Sequence, residues 1–187
     1  MSDPRKPNIP AADLETVVLV DEFDQEVGVE EKVAAHQNGG WLHRAFSVMI
    51  FDGNGRTLLQ QRALQKYHFA GRWTNACCGH PRPKELVAQA ARRRLLEEMG
   101  FETSLEPAFS FVYRAEDPAT GLVEHELDHV FIGHYACDPC PDSKEVATWK
   151  WVDFDVLMQD LAAKPQVYTP WLPHILRQIA REEVMSR

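Results

Sequence analysis

No run in this chain approaches the ~20 apolar residues that a membrane-spanning helix needs. Its first thirteen residues, MSDPRKPNIPAAD, lack the apolar core of a signal peptide. Internal repeats and low-complexity tracts are missing too, which argues against a repeat architecture. There is no excess of positive charge: 20 Lys and Arg against 28 Asp and Glu leave a net charge of -8. A nonspecific nucleic-acid or acidic-membrane binder is therefore not expected, although Arg92, Arg93 and Arg94 can still line a local anion pocket. Cysteine is sparse, at Cys77, Cys78, Cys137 and Cys140. Without a secretory signal, an even count does not imply disulfides. Cys77 and Cys78, adjacent on a strand, would point to opposite faces. Cys137 and Cys140 have the Cys-x-x-Cys spacing, but with no second pair they read as a loop feature. These absences predict a cytoplasmic protein with no membrane, nucleic-acid or obligate protein partner.

The 187 residues fit one domain with a sizeable core. Residues 1–13 read as a flexible arm and 14–187 as the domain. Thr16–Val20 and Val27–Val29 form a hairpin pattern. Ala45–Phe51 and Thr57–Gln61 flank the turn Asp52-Gly53-Asn54-Gly55. Helix formers dominate from Pro83 to Met99, with Gly100 at the C-cap. Strands are expected at 109–114, 122–135 and 146–152, and helices near 154–162 and 171–184, with Pro173 tolerable only in a first turn. The order of strands, helix, strands, helices predicts an α+β sandwich with a mixed sheet.

Gly79, Glu85, Arg93, Leu95, Glu97, Glu98, Gly100 and Phe101 follow G-x5-E-x7-R-x-L-x-E-E-x-G-[apolar]. This spacing resembles the Nudix box, the loop-helix signature of enzymes that bind diphosphates through divalent ions. Arg94 and Glu98 are one turn apart and share a helical face. A carboxylate there suits Mg²⁺, a hard cation. Arg94 departs from the hydrolase pattern, which has Glu at that position. A guanidinium can neither ligate a cation nor act as a base near neutral pH, but it can clamp a diphosphate. The spacing thus keeps the equipment for holding a diphosphate and compromises the equipment for hydrolysing it.

A second cluster lies in 122–135. Glu124, Glu126 and Asp128 share one face by period two, about 6.5–7 Å apart along the backbone, with His125 and His129 opposite. An exposed edge strand would show the same alternation. His36, His43 and His80 add imidazoles, and three His with two carboxylates suit Mn²⁺ or Zn²⁺.

Taken in order, Leu-His-Arg-Ala-Phe-Ser (42–47), Gln-Arg-Ala-Leu-x-Lys (61–66), Trp-Thr-Asn-x-x-Cys-Gly-His-Pro (73–81), Tyr-Arg-Ala-x-Asp-Pro (113–118), Glu-x-Glu (124–126) and Thr-Pro-Trp (169–171) resemble the type 1 isopentenyl-diphosphate isomerases. These are non-hydrolytic members of the Nudix superfamily. The match spans about residues 16–184, and implies a Nudix-type mixed sheet with flanking helices. It implies one Mn²⁺ or Zn²⁺ ion held by His36, His43, His80, Glu124 and Glu126, and a Mg²⁺ linking the substrate diphosphate to Glu98. Lys32, Arg62, Lys66 and Arg94 would contact the diphosphate. Cys78, Glu126 and Tyr113 would handle protons, with Glu126 delivering one and a Cys78 thiolate removing another, while Trp171 faces the reacting carbons. Cys137, Cys140, His68, His125, His129, His134 and His174 match nothing in that site and read as structural or surface residues. Two competing readings are a Nudix pyrophosphohydrolase of a nucleoside diphosphate derivative and a non-catalytic diphosphate sensor.

Overall fold

A computed structural model describes residues 15–185; the arm expected at 1–13 lies outside the described residues. Among the described residues, nine strands form one mixed sheet. The hairpin β1 (Thr16–Val20) and β2 (Glu26–Glu31) turns where Asp21 Oδ1 accepts from the backbone N–H groups of Phe23 and Gln25, both at 2.9 Å. The centre is β3 (His43–Phe51), which runs parallel to β8 (Val123–His134) in a register that places His43 beside Glu126. The opposite edge of β3 pairs in turn with β1, with β6 (Cys77–Gly79) and with β4 (Arg56–Arg62). The other partners of β4 are β5 (Trp73–Thr74) and β9 (Val146–Asp153). β7 (Leu105–Glu116) covers the far side of β8. That strand is therefore interior, and the exposed-edge alternative for its carboxylates fails.

Alternation along the strands splits the core into two layers. Val48, Ile50, Leu58, Phe131 and Cys77 pack with Ala90, Ala91, Leu95 and Met99 of α2 (Val87–Met99) on one face. Met49, Leu59 and Val130 pack on the other face against α3 (Phe154–Ala163) and α4 (Leu172–Met185), with Cys78 against the same layer. The result is the expected α+β sandwich of a mixed sheet between helices. Cys77 and Cys78 take opposite faces, as adjacent strand residues must. Pro173 sits in the first turn of α4, where its missing N–H costs nothing.

Three differences from the sequence reading have physical causes. α2 starts at Val87, not Pro83, because Lys84 takes φ 69° and Leu86 an extended ψ of 137°. Glu85 is used instead as a brace, accepting from Arg82 N (2.8 Å) and gripping Arg93 through both oxygens (2.7 and 2.8 Å). β7 begins four residues before the expected Phe109, since a register shift between Pro107 and Phe109 lets a proline sit in a strand. The five-residue α1 (Lys32–His36) and the very short β5 and β6 carry too few residues for a periodic signal.

Candidate active site

The ligand-type residues gather where β3 and β8 begin, on the α4 face of the sheet. His36 closes α1, whose N-cap Glu31 accepts from Val33 N and Ala34 N. His43 opens β3, His80 follows β6, and Glu124 and Glu126 lie on β8. One ligand atom from each of the five falls within 4.8 Å of all the others. His36 Nε2 is 2.9 Å from Glu124 Oε2, His80 Nε2 is 2.8 Å from Glu126 Oε1, and the Nε2 atoms of His43 and His80 are 3.2 Å apart.

The tautomers fit a cation. His36 Nδ1 and His43 Nδ1 face the carbonyls of Lys32 (2.6 Å) and Trp41 (2.8 Å), so in neutral rings each Nδ1 donates and each Nε2 turns a lone pair inward. Lone pairs facing one another and two carboxylates in a buried site require positive charge between them. Burial alone would lower the pKa of His36, yet the Glu124 carboxylate raises it on balance. Burial depresses His80 to about 4 against the pull of Glu126. Asp128 lies on the same face but outside this group. Burial, reinforced by Glu126, pushes its carboxyl well above the usual range, and Ser47 Oγ donates to it at 2.8 Å.

Beside this cluster is a narrow cavity of about 50 Å³ lined by Cys78, Tyr113, Glu126, Trp171, Arg62 and Lys66, among others. Tyr113 faces Glu126 in the β7–β8 register and donates its hydroxyl to Glu126 Oε2 at 2.5 Å. Trp171 Nε1 donates to Asn75 Oδ1 (3.0 Å), while Asn75 Nδ2 donates to the carbonyls of Val48 and Cys77, so one buried amide ties the indole to β3 and β6. The Arg62 guanidinium stands 5.7 Å from the Trp171 ring and its Nη1 lies 3.8 Å from Cys78 Sγ. Burial pushes the Cys78 thiol up to about 12, with Arg62 opposing.

A wider cavity of about 310 Å³ adjoins the first and shares Lys32, Gly79 and His80 with it; Arg82, Arg93 and Arg94 add charge. Gly79 sits at the junction, where a Cβ would come to a tight 3.2 Å from the Phe46 ring. Lys32 Nζ pairs with Glu15 at 2.8 Å. Glu98 is buried, receiving Arg94 Nη2 on Oε1 (2.6 Å) and Gln60 Nε2 on Oε2 (3.0 Å). Every site residue expected from the sequence therefore lies in or beside these two joined cavities.

Of the two alternatives for His68, structural or surface, the surface one fails. It is neither a surface group nor remote from the site: its Nε2 pairs with Glu124 Oε1, and Arg62 Nη2 donates to its carbonyl at 3.2 Å. Burial lowers its pKa to about 4 against the pull of Glu124; a neutral ring facing that carboxylate donates from Nε2, and the buried Nδ1 has no partner among the described residues. Gln60, Asn75 and Glu145 also belong to the surroundings of the site; Asn75 lies inside the Trp-Thr-Asn motif, whereas no sequence pattern marks the other two. His125, His129, His134 and His174 stay outside the site: His125 meets Gly40 O, His129 meets Asp24, His134 is exposed, and His174 stacks on Phe111. Cys137 and Cys140 are free and exposed.

An α+β sandwich in which this loop and helix carry Gly79, Glu85, Arg93, Glu97 and Glu98 defines a Nudix protein, and the NUDIX domain model matches residues 41–174. The fold is shared with a crystallised Deinococcus radiodurans protein (TM-score 0.74, 19% identity, 88% of this chain and 98% of that one). It is shared also with a MutT protein from Methanosarcina mazei (TM-score 0.63, 18% identity, 76% and 95%). Isopentenyl-diphosphate Delta-isomerase 1 of Aromatoleum aromaticum is 51% identical over 173 residues, covering 91% of this chain and 97% of its own. The isopentenyl-diphosphate Delta-isomerase of Halorhodospira halophila is 49% identical over 166 residues (88% and 95%). The chain belongs to the isopentenyl-diphosphate Delta-isomerase family of Nudix proteins.

Proposed function

We propose that this chain interconverts isopentenyl and dimethylallyl diphosphate, supplying isoprenoid synthesis. The observation that carries the reading is one narrow cavity lined by a thiol, a Tyr113–Glu126 pair and an indole, opening beside a basic cavity with Arg94 where hydrolases carry Glu. An unactivated alkene is a very weak base, so protonation of its terminal carbon to a tertiary cation is the difficult step. Loss of a proton from the neighbouring methylene then moves the double bond. One group must give a proton and another must take one, and the roles exchange in the reverse direction. Cys78 and the Tyr113-bonded Glu126 are that pair. A cation facing Trp171 gains about 2 kcal/mol or more in a desolvated site. The narrow walls leave little room for water, which would capture the cation as an alcohol.

His36, His43, His80, Glu124 and Glu126 would hold a Mn²⁺ or Zn²⁺ ion, and Glu98 a Mg²⁺ with the diphosphate. Bound there, the two ions supply positive charge that polarises Glu126 and neutralises the diphosphate. Lys32, Arg62, Lys66 and Arg94 grip the same diphosphate, so that remote binding energy keeps a small hydrocarbon tail in register. A partly buried working thiol also supports the reducing, cytoplasmic setting expected from the sequence.

A proton NMR time course of isopentenyl diphosphate with Mg²⁺ in D₂O tests the reading. Double-bond migration with deuterium uptake and no phosphate release is expected. Cys78→Ala should abolish migration while pyrophosphate still binds, and Cys77→Ala should keep most of it. Hydrolysis without migration would replace the isomerase reading with the hydrolase one.

A further inference from the structure

We propose that Glu145, in the loop just ahead of β9, is a positioning residue that arranges the diphosphate grip before substrate arrives; the inference rests on the isomerase reading above. One of its carboxylate oxygens pairs with Lys66 Nζ, and the other accepts from Arg94 Nη2 at 3.1 Å. These two cations come from different elements, the loop after β4 and the helix α2, and both are expected on the same diphosphate. Glu145 is the only carboxylate that joins them among the described residues.

Its backbone is anchored to both elements. Ala63 N donates to Glu145 O at 2.9 Å, next to the Lys66 turn. Upstream, Cys140 N and Asp142 N donate to the carbonyls of Met99 and Glu98, both at 3.0 Å, and Glu145 N donates to Asp142 O. The carboxylate thus has a set position relative to both cations. All three side chains are at most a quarter exposed, so water screens the pairs less than it would at the surface. Burial alone would raise the Glu145 carboxyl, but Lys66 and then Arg94 pull it below the usual carboxylate range.

Two like charges brought together repel, and long cationic side chains lose rotamer freedom when they are ordered. A carboxylate between Lys66 and Arg94 offsets both costs in the free protein. It presents them as a pair to an incoming diphosphate, whose oxygens accept from the same donors.

Calorimetric titration with inorganic pyrophosphate and Mg²⁺ reads the grip without turnover. In Glu145→Gln the dissociation constant should rise about tenfold, the loss expected when two ordered side chains become free. KM for isopentenyl diphosphate should rise with it and kcat should change less; Glu145→Asp, which keeps the charge on a shorter arm, should recover part of the loss. Unchanged or tighter pyrophosphate binding in folded Glu145→Gln overturns the proposal, as does a defect confined to kcat. If Glu145→Gln does not fold, Glu145→Asp decides: weakened pyrophosphate binding supports the proposal and wild-type binding overturns it. A wild-type protein that fails to isomerise counts against the functional reading, whereas an active wild type with an unaffected variant counts against Glu145 alone.

Discussion

At Cys78 the backbone of β6 fixes which way the sulfur faces, and its surroundings fix its protonation. The neighbouring Cys77 is completely buried under α2, while Cys78 lines the cavity with a thiol pushed up to about 12. Only the thiolate is nucleophilic. Iodoacetamide at pH 8 should therefore label the exposed Cys137 and Cys140 first, Cys78 much more slowly and Cys77 not at all, as read by peptide mass spectrometry. Because the folded-state value is raised, Cys78 labelling should keep climbing with pH toward 12 and not level off near 9. Labelling of Cys78 as fast as Cys137 would remove the picture of a raised, shielded thiol. Strand alternation, readable from the sequence, separates the faces of the two sulfurs, and the resemblance points to Cys78; how deeply each is buried is a matter of the fold. His68 shows the reverse case. Nothing local distinguishes its imidazole from that of His134, and only the fold brings it against Glu124.

The element that organises the basic cavity is α2, and its ends explain its precision. Glu85 and Arg93 brace the entry, and Gly100 ends it at φ 75° with its N–H bonded to Leu96 O. A Cβ on Gly100 would lie 2.2 Å from the Cys140 carbonyl oxygen, a backbone atom that cannot swing aside. The same carbonyl belongs to the segment that carries Glu145. Gly100→Ala should thus lower stability by about 3 kcal/mol through left-handed strain and the clash together. Differential scanning calorimetry checks this, and a loss under about 0.5 kcal/mol would mean the segment yields freely. Most of this helix was legible in the sequence, because apolar spacing and a terminal glycine are local signals. Its true start was not, since Glu85 is spent on Arg93 eight residues away. The short β5, β6 and α1 left no periodic trace, yet β6 and α1 deliver Cys78 and His36.

For the molecule as a whole, the main electrostatic burden is the buried group of His36, His43, His80, Glu124 and Glu126. An ion that binds only the folded chain stabilises it by about 2.7 kcal/mol at a hundredfold excess over its dissociation constant. For a chain of this size that is a rise in Tm of about 5–10 °C. Mn²⁺ or Zn²⁺ added back to extensively stripped protein should give this shift in a thermal melt, and turnover should return with it. A flat Tm would argue that the cluster is an empty hydrogen-bond network. From sequence alone came the α+β class, the strand faces and the ligand types, because alternation and the box spacing are properties of neighbouring residues. Tertiary structure alone decided that β8 is an interior strand, so that its carboxylates are buried and not surface charge. It also decided that His68 supports Glu124 and that Glu145 joins Lys66 to Arg94. Such contacts link residues tens of positions apart in the chain, and pairing at that range is set by how the sheet and helices pack.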